Sequence, residues 1–259
     1  PPSDPDIETG RKSLVRIASR TDPDLISAIE AVAEDSSAIN DRYGVAFHYL
    51  AWGKKGGTAG VEEVADSVRR WKSNPSWVSD TLELCQWRRT HGEIPTRQIE
   101  LPFGAPFFLH AAYGLSDIKA LLGLSSVSKP GATGTGVLHA KGIKCYIHLI
   151  TFRKNERDFS PSTRYRDYPI SRRRIHWESQ STISQESPTG QNYVNFLERG
   201  YTILFFARAD KKTEGETAPF LFLGPASHLV SVSGDRPMSM VWQLQYSMPA
   251  ALYEDVRVT

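Results

Sequence analysis

The sequence has few cysteines, no long apolar run and no leader-like beginning. Its 259 residues include only Cys85 and Cys145, too few for a disulfide framework, and neither has a second cysteine near it for a zinc site. No stretch approaches the roughly eighteen apolar residues of a membrane-spanning helix. Residues 1–5 are polar and proline-rich, unlike a secretory signal, and residue 1 is not methionine. We therefore expect a segment of a longer polypeptide in a reducing, cytoplasmic compartment.

The composition is that of a soluble globular protein, and its charge is balanced overall but not locally. Apolar residues make up 40% and charged residues 23%, with a net charge of +2. Residues 151–174 carry eight basic side chains against three acidic ones, a local net charge of +5. Such a density of positive charge favours binding of a polyanion, because contacts to phosphates release counterions and the charge attracts the polyanion during diffusional encounter. The alternative interpretation is a solvated, arginine-rich loop.

The first hundred residues show helical periodicity. Apolar side chains recur at helical spacing in residues 24–34, 61–72 and 77–90. Prolines and glycines then interrupt any periodic element over residues 95–106. We predict a small helical module over residues 1–100, without a catalytic signature, and a second domain over residues 101–259.

From about residue 137 the pattern changes to the alternation of β-strands. Short apolar or alternating runs bounded by turn residues occur at 145–150, 201–207, 220–223, 229–233 and 238–246. Five or more short strands at this spacing predict a small barrel or sandwich. The fold class predicted for the whole chain is therefore α+β.

The least ordinary stretch lies between the first strand and Tyr201. Over residues 160–193 it interleaves arginines, aromatic residues and small hydroxyl or amide residues. Arginine binds phosphate or stacks, aromatic rings offer faces to a base, and polar side chains read its edge. Trp177 is followed by Glu-Ser-Gln-Ser, so neither face of a strand at this position continues with apolar residues. A nucleic-acid site is favoured, and core aromatics of a β domain are the alternative.

The same stretch carries a resemblance to a known family. The motifs are Ser160-Pro161 with Tyr165 and Asp167-Tyr168, His-Trp-Glu-Ser-Gln-Ser at 176–181, Ser-Pro-Thr-Gly-Gln-Asn-Tyr at 187–193, and the later runs at 220–226, 236–242 and 249–253. In this order they resemble a family of domains of uncharacterised function that form the C-terminal end of many large bacterial helicase–nuclease chains. The resemblance covers roughly residues 100–254.

In relatives of known role, the parent is a modification-dependent (type IV) restriction enzyme with a phospholipase-D-type nuclease and a DEAD/DEAH-type translocase. The resemblance implies that this part supplies specificity, reading 5-methyl- or 5-hydroxymethylcytosine with an SRA-like or PUA-like mixed β-barrel. It also implies a bacterial, nucleoid-associated location. The partners would be double-stranded DNA and the parent helicase and nuclease domains in cis. No activity, cofactor or metal of its own is expected.

On this hypothesis the modified base flips into an aromatic pocket, with readout in the major groove as the alternative. The candidate walls are Tyr165, Tyr168 and Trp177, and Asp167 would accept a hydrogen bond from the cytosine amino group. An ordinary surface ion pair with a neighbouring arginine is the rival interpretation of Asp167. Ser179, Gln180 and Ser181 would contact the remaining polar edge or a phosphate. The phosphate-binding candidates are Arg153, Arg164, Arg166, Arg172, Arg173 and Arg174.

Two other functions stay open at this stage. A metal-dependent nuclease or hydrolase needs clustered carboxylates, and Glu178, Glu186 and Glu198 lie in polar segments without a recognisable signature. A protein-interaction module is the other possibility, with the helical residues 1–100 docking the parent translocase.

Overall fold

The computed structural model divides the chain into two compact units, Pro1–Thr133 and Gly134–Thr259. The division lies beyond the boundary predicted at residues 100 and 101. The residues described are 5–35, 41–91, 94–104, 106–132, 136–154, 166–213 and 215–257. Within these ranges, no helix combines the length and the apolar character needed to cross a membrane.

The first unit is mainly helical. Its elements are α1 (Pro5–Ala18), α2 (Pro23–Glu34), α3 (Asp41–Trp52), α4 (Gly56–Ala59), α5 (Val64–Lys72), α6 (Pro75–Thr90), β1 (Arg97–Gln98), β2 (Phe108–Leu109), β3 (Ala112–Tyr113) and α7 (Leu115–Leu121). The predicted helices correspond to α2, α5 and α6. Their starts are fixed by side chains, since Asp22 caps α2 and Asn74 caps α6.

The core of this unit explains why it extends past residue 100. Ala120 and Val127 are buried in the same apolar cluster as the side chains of α2, α3 and α5. The Tyr49 hydroxyl donates to the Ser126 carbonyl oxygen at 2.8 Å. Residues after the proline-rich stretch therefore complete the helical core, which a local break in periodicity does not reveal.

The second unit contains a mostly antiparallel, mixed sheet. Its elements are β4 (Val137–Ala140), a 3₁₀ turn (Lys141–Ile143), β5 (Cys145–Thr151), β6 (Tyr168–Ser171), β7 (Arg174–Glu178), α8 (Pro188–Val194), β8 (Thr202–Arg208), β9 (Lys212–Thr213), β10 (Glu216–Thr217), β11 (Phe220–Ser233), β12 (Ser239–Leu244) and α9 (Ala250–Val256). Together the two units confirm the α+β class.

The sheet follows the order β4-β5-β8-β11-β12-β7-β6. Strands β5 and β8 are parallel, whereas the other neighbours along this path are antiparallel. The first part of the long strand β11 pairs with β8 and its second part pairs with β12. Within the described ranges no pairing joins β4 to β6, so the sheet is not a closed barrel there.

Candidate nucleic-acid interface

Arginines of the predicted phosphate-binding set surround the turn of the β6–β7 hairpin. Arg172, Arg173 and Arg174 are all exposed. Each guanidinium is held by one acceptor: Arg172 Nε donates to the Met248 carbonyl at 2.9 Å, Arg173 Nη2 to the Gln245 carbonyl at 2.6 Å and Arg174 Nε to Gln243 Oε1 at 3.0 Å. Because these acceptors are neutral, the three positive charges stay available to an anion.

The outer face of the same hairpin carries a supported aromatic ring. Tyr168 is 37% exposed and stacks on His176 across the strand pair, with ring centroids 4.5 Å apart. His176 Nδ1 lies 2.6 Å from the Arg166 carbonyl oxygen, and its Nε2 lies 2.7 Å from Ser239 Oγ. A carbonyl only accepts, so Nδ1 donates, whereas the Ser239 hydroxyl can pair with Nε2 in either direction. His176 is thus a fixed support for Tyr168.

Trp177 lies on the opposite face of the sheet from Tyr168. It follows His176 directly, and successive side chains of a strand point to opposite faces. Its side chain is only 4% exposed and belongs to the apolar core of the unit. The structure therefore does not bring Tyr168 and Trp177 together as walls of one pocket. The third predicted wall, Tyr165, lies outside the described residues.

Asp167 is buried and fully engaged. Its Oδ1 accepts from the Glu178 backbone amide at 3.1 Å, and its Oδ2 forms an ion pair with Lys154 Nζ. Burial raises the pKa of Asp167, although the Lys154 charge opposes this shift. An ion pair was one of the two interpretations of this residue, but the partner is a lysine and the pair is inside the protein. Both carboxylate oxygens are thus already engaged within the protein.

The centre of the unit holds a histidine that the sequence analysis did not single out. His148 on β5 is fully buried and stacks on Trp177 with ring centroids 4.0 Å apart. The edges of three further rings surround it, at centroid distances of 5.1 Å for Phe205, 5.4 Å for Tyr193 and 5.9 Å for Trp242. Burial lowers the pKa of His148 to about 3, so the ring is neutral at physiological pH.

Four buried polar atoms without partners in the described part of the chain lie around this stack, and others occur in the helical unit. Among the described residues, no hydrogen-bond partner is found for His148 Nδ1 and Nε2, Gln180 Oε1 and Trp242 Nε1, all of them buried. Gln180 follows β7, and its side chain hydrogen-bonds to Tyr193, which lowers the pKa of that phenol against the larger raising effect of burial. Leaving such groups unpaired costs about 1–3 kcal/mol each, so the interior is unusually polar for a core.

The remaining predicted residues have mixed placements. Ser179 joins β7 to the start of β12, because its Oγ accepts from the Met238 amide at 2.9 Å. Arg153 forms ion pairs with Asp210 and Asp255, so its charge is already matched within the protein. Ser181 and Arg166 are exposed. Arg164 lies outside the described residues.

The carboxylates considered for a nuclease do not form a metal site in the described part of the chain. No group of three or more histidine, cysteine, aspartate or glutamate side chains lies close enough there to hold an ion. Glu178, one of the three, instead accepts a hydrogen bond from the Arg166 amide at 3.0 Å.

Comparison with known proteins adds one finding. The family model described as "Domain of unknown function (DUF3427)" matches residues 107–256, more than half of the chain. No curated protein matches the chain.

Proposed function

We propose that this chain, which belongs to the DUF3427 family of domains of unknown function, is a DNA-binding specificity module that reads a modified cytosine. It would serve a modification-dependent restriction enzyme of bacteria, whose helicase and nuclease domains carry out the catalytic steps. The resemblance of its motifs supports this context. The observation that carries the proposal is the set of unpartnered polar atoms around the His148–Trp177 stack.

These atoms match the hydrogen-bonding edge of cytosine. That edge presents one donor, the N4 amino group, beside the two acceptors N3 and O2. Gln180 Oε1 can accept from N4, the indole Nε1 of Trp242 can donate, and neutral His148 offers one donor and one acceptor. Gln180 thereby takes the role first predicted for Asp167. The base would enter by flipping. Stacking on the surrounding aromatic rings would offset part of the free energy that unstacking the base costs.

The β6–β7 hairpin would hold the DNA backbone. Arg172, Arg173 and Arg174 supply positive charge at its turn that no carboxylate of the described residues matches. Tyr168, supported by His176, offers an exposed ring beside them for stacking or for wedging into the groove. Backbone contacts position a duplex without reading it, whereas the interior would discriminate the base.

The test compares three duplexes that differ only in carrying cytosine, 5-methylcytosine or 5-hydroxymethylcytosine, titrated by fluorescence anisotropy at moderate salt. We expect the wild-type protein to prefer a modified duplex by about tenfold or more, equivalent to about 1.4 kcal/mol. Gln180→Leu should weaken binding to the modified duplex by roughly 5- to 100-fold, because one base-edge pairing is lost. Gln245→Leu, an exposed change of the same kind, is the matched control.

A separate variant tests whether the β6–β7 hairpin holds the DNA backbone. Replacing Arg172, Arg173 and Arg174 by glutamine should weaken binding to all three duplexes alike and flatten the salt dependence. Equal, salt-sensitive binding of the wild-type protein to the three duplexes would rule out a reader of these modifications. Unchanged affinity of the Gln180→Leu variant for the modified duplex would mean that the base is not recognised in the interior.

A further inference from the structure

A second aromatic and basic surface lies at the other end of the strand order, around β4. His139 on β4 pairs with Tyr146 on β5, and their rings stack with centroids 4.0 Å apart. Tyr201 stacks on the same Tyr146 ring at 5.3 Å. His139 and Tyr201 are half-buried, whereas Tyr146 is 2% exposed and forms the floor. Two rings of this cluster are thus open to a ligand from the surface.

A chain of hydrogen bonds ties an arginine to this ring cluster. Asn192 Nδ2 donates to the Tyr146 hydroxyl at 3.1 Å, and Asn192 Oδ1 accepts from Arg199 Nη1 at 2.9 Å. The Arg199 carbonyl oxygen in turn accepts from Lys144 Nζ at 3.3 Å. The positions of Arg199 and Lys144 are therefore coupled to the floor of the cluster.

Three exposed cations border the rings: Lys141, Lys144 and Arg199. Within the described ranges none of them forms an ion pair with a carboxylate, in contrast to Arg153. Lys141 and Lys144 frame the 3₁₀ turn, and Lys144 adopts the left-handed backbone conformation (φ 47°) that reverses the chain into β5. We call Lys141, Lys144, Arg199, His139 and Tyr201 the β4 patch.

His139 adds an unmet polar group to the patch. Its Nε2 is buried and has no hydrogen-bond partner among the described residues. Burial and the nearby Lys141 charge both lower the pKa of His139, so the ring stays neutral and can donate or accept. Because this nitrogen is buried, a ligand that lies over the rings meets the face of the neutral imidazole together with the cations.

We infer that the β4 patch is a second nucleic-acid contact surface, which binds a phosphate backbone together with a stacked, unpaired base. Cations without a carboxylate partner among the described residues fit phosphate, and the open rings of Tyr201 and the neutral His139 fit the face of a base. An acidic protein segment would use the cations alone. The β4 patch shares no residue with the proposed reading site or with the β6–β7 hairpin, so the inference does not depend on the proposed function.

The experiment replaces the three cations together, as Lys141→Gln, Lys144→Gln and Arg199→Gln. The control, Arg11→Gln, Lys129→Gln and Lys212→Gln, removes the same charge from exposed positions elsewhere. Both variants and the wild-type protein are titrated by anisotropy with an unmodified single-stranded oligonucleotide and with the three duplexes, from low to moderate salt. Thermal unfolding verifies that both variants are folded.

We expect the patch variant to bind the single strand at least tenfold more weakly at low salt, with a salt slope reduced by about 2 for three lost contacts at ~0.7 each. The ratio between modified and unmodified duplex should stay at the wild-type value. The inference is overturned if affinity and salt slope are unchanged, or if the control loses as much as the patch variant. If the wild-type protein did not discriminate between the three duplexes, the proposed function would be refuted. The expected loss of single-strand binding in the patch variant would still stand.

Discussion

His148 and Trp177 stack face to face at 4.0 Å, although β8, β11 and β12 separate their strands along the sheet. The contact exists because the sheet curls until the inner faces of its two ends meet. Desolvation of the imidazole opposes folding, since neither ring nitrogen has gained a partner among the described residues. On the proposed function, this cost is offset by the role of His148 in reading the base.

His148→Phe should therefore stabilise the protein and weaken its response to acid. The folded-state pKa of His148, about 3, lies below its usual value of 6.5. The unfolded chain thus takes up the proton first, and stability is lost as pH falls from 6.5 towards 3. Between pH 7 and pH 5 the wild type should lose about 2 kcal/mol more than the variant, at ~1.4 kcal/mol per pH unit.

Urea unfolding at the two pH values measures this difference. His228→Phe, at an exposed position of β11, is the control and should keep the acid sensitivity of the wild type. If His148→Phe lost as much stability as the wild type on acidification, the histidine would not be buried as described. Loss of discrimination between modified and unmodified duplex in a stabilised His148→Phe variant would also support the proposed reading site.

Asp22 shows the opposite pH dependence in the helical unit. It is buried and caps α2, and burial raises its pKa from 3.8 to about 6 despite a hydrogen bond from Tyr113 and two from backbone amides. The folded state holds the proton more tightly, so this residue's contribution to stability declines as pH rises from about 4 to 6. Asp22→Asn keeps an acceptor for the cap and removes the charge.

Asp22→Asn should consequently be more stable than the wild type at pH 7, by at most about 3 kcal/mol, and the advantage should shrink towards pH 4. Chemical denaturation across this pH range tests the expectation. Asp24→Asn changes an exposed carboxylate in the same helical turn and should show no such gain. A variant that is less stable than the wild type at every pH would mean that the Asp22 charge itself stabilises the helix.

The buried pair of Lys154 and Asp167 should be far more sensitive than an exposed pair. Lys154→Met leaves the Asp167 carboxylate buried without its counter-ion, and breaking such a pair typically costs about 3–5 kcal/mol. Arg69→Met, which breaks the exposed pair with Asp66, should cost less than about 1 kcal/mol. Adding Asp167→Asn to Lys154→Met should recover part of the loss. Equal effects of the two single variants in urea unfolding would contradict the burial of this pair.

Periodicity predicted much of the fold, because helices and strands bury one face at a regular spacing. The segments around α2, α5 and α6 follow this rule, whereas β5 and β8 are buried on both faces and were predicted as short apolar runs. The helical unit extends past residue 100 because Ala120 and Val127, which follow a proline-rich stretch, complete its core. Only tertiary packing joins them to the helices.

The site was predictable only in part, for a related reason. The turn arginines and the supported ring of Tyr168 lie in the segment that the sequence marked. His148 could not be found, since its neighbours come from strands distant in the chain and its own strand is apolar on both faces. Part of the marked segment is also structural. Ser187 caps α8, and a side chain on Gly190 would collide with the Ser184 carbonyl oxygen.

The hairpin with the arginines lies within the connection between the parallel strands β5 and β8, yet its neighbour in the sheet is β12. His176 and its partner Ser239 are 63 residues apart in the chain. During synthesis from the N-terminus, the hairpin therefore leaves the ribosome well before the strand that anchors it. Nascent chains that stop short of β12 would display the arginine turn without the face that supports it, and on the proposed function they would bind DNA by charge before they could read it.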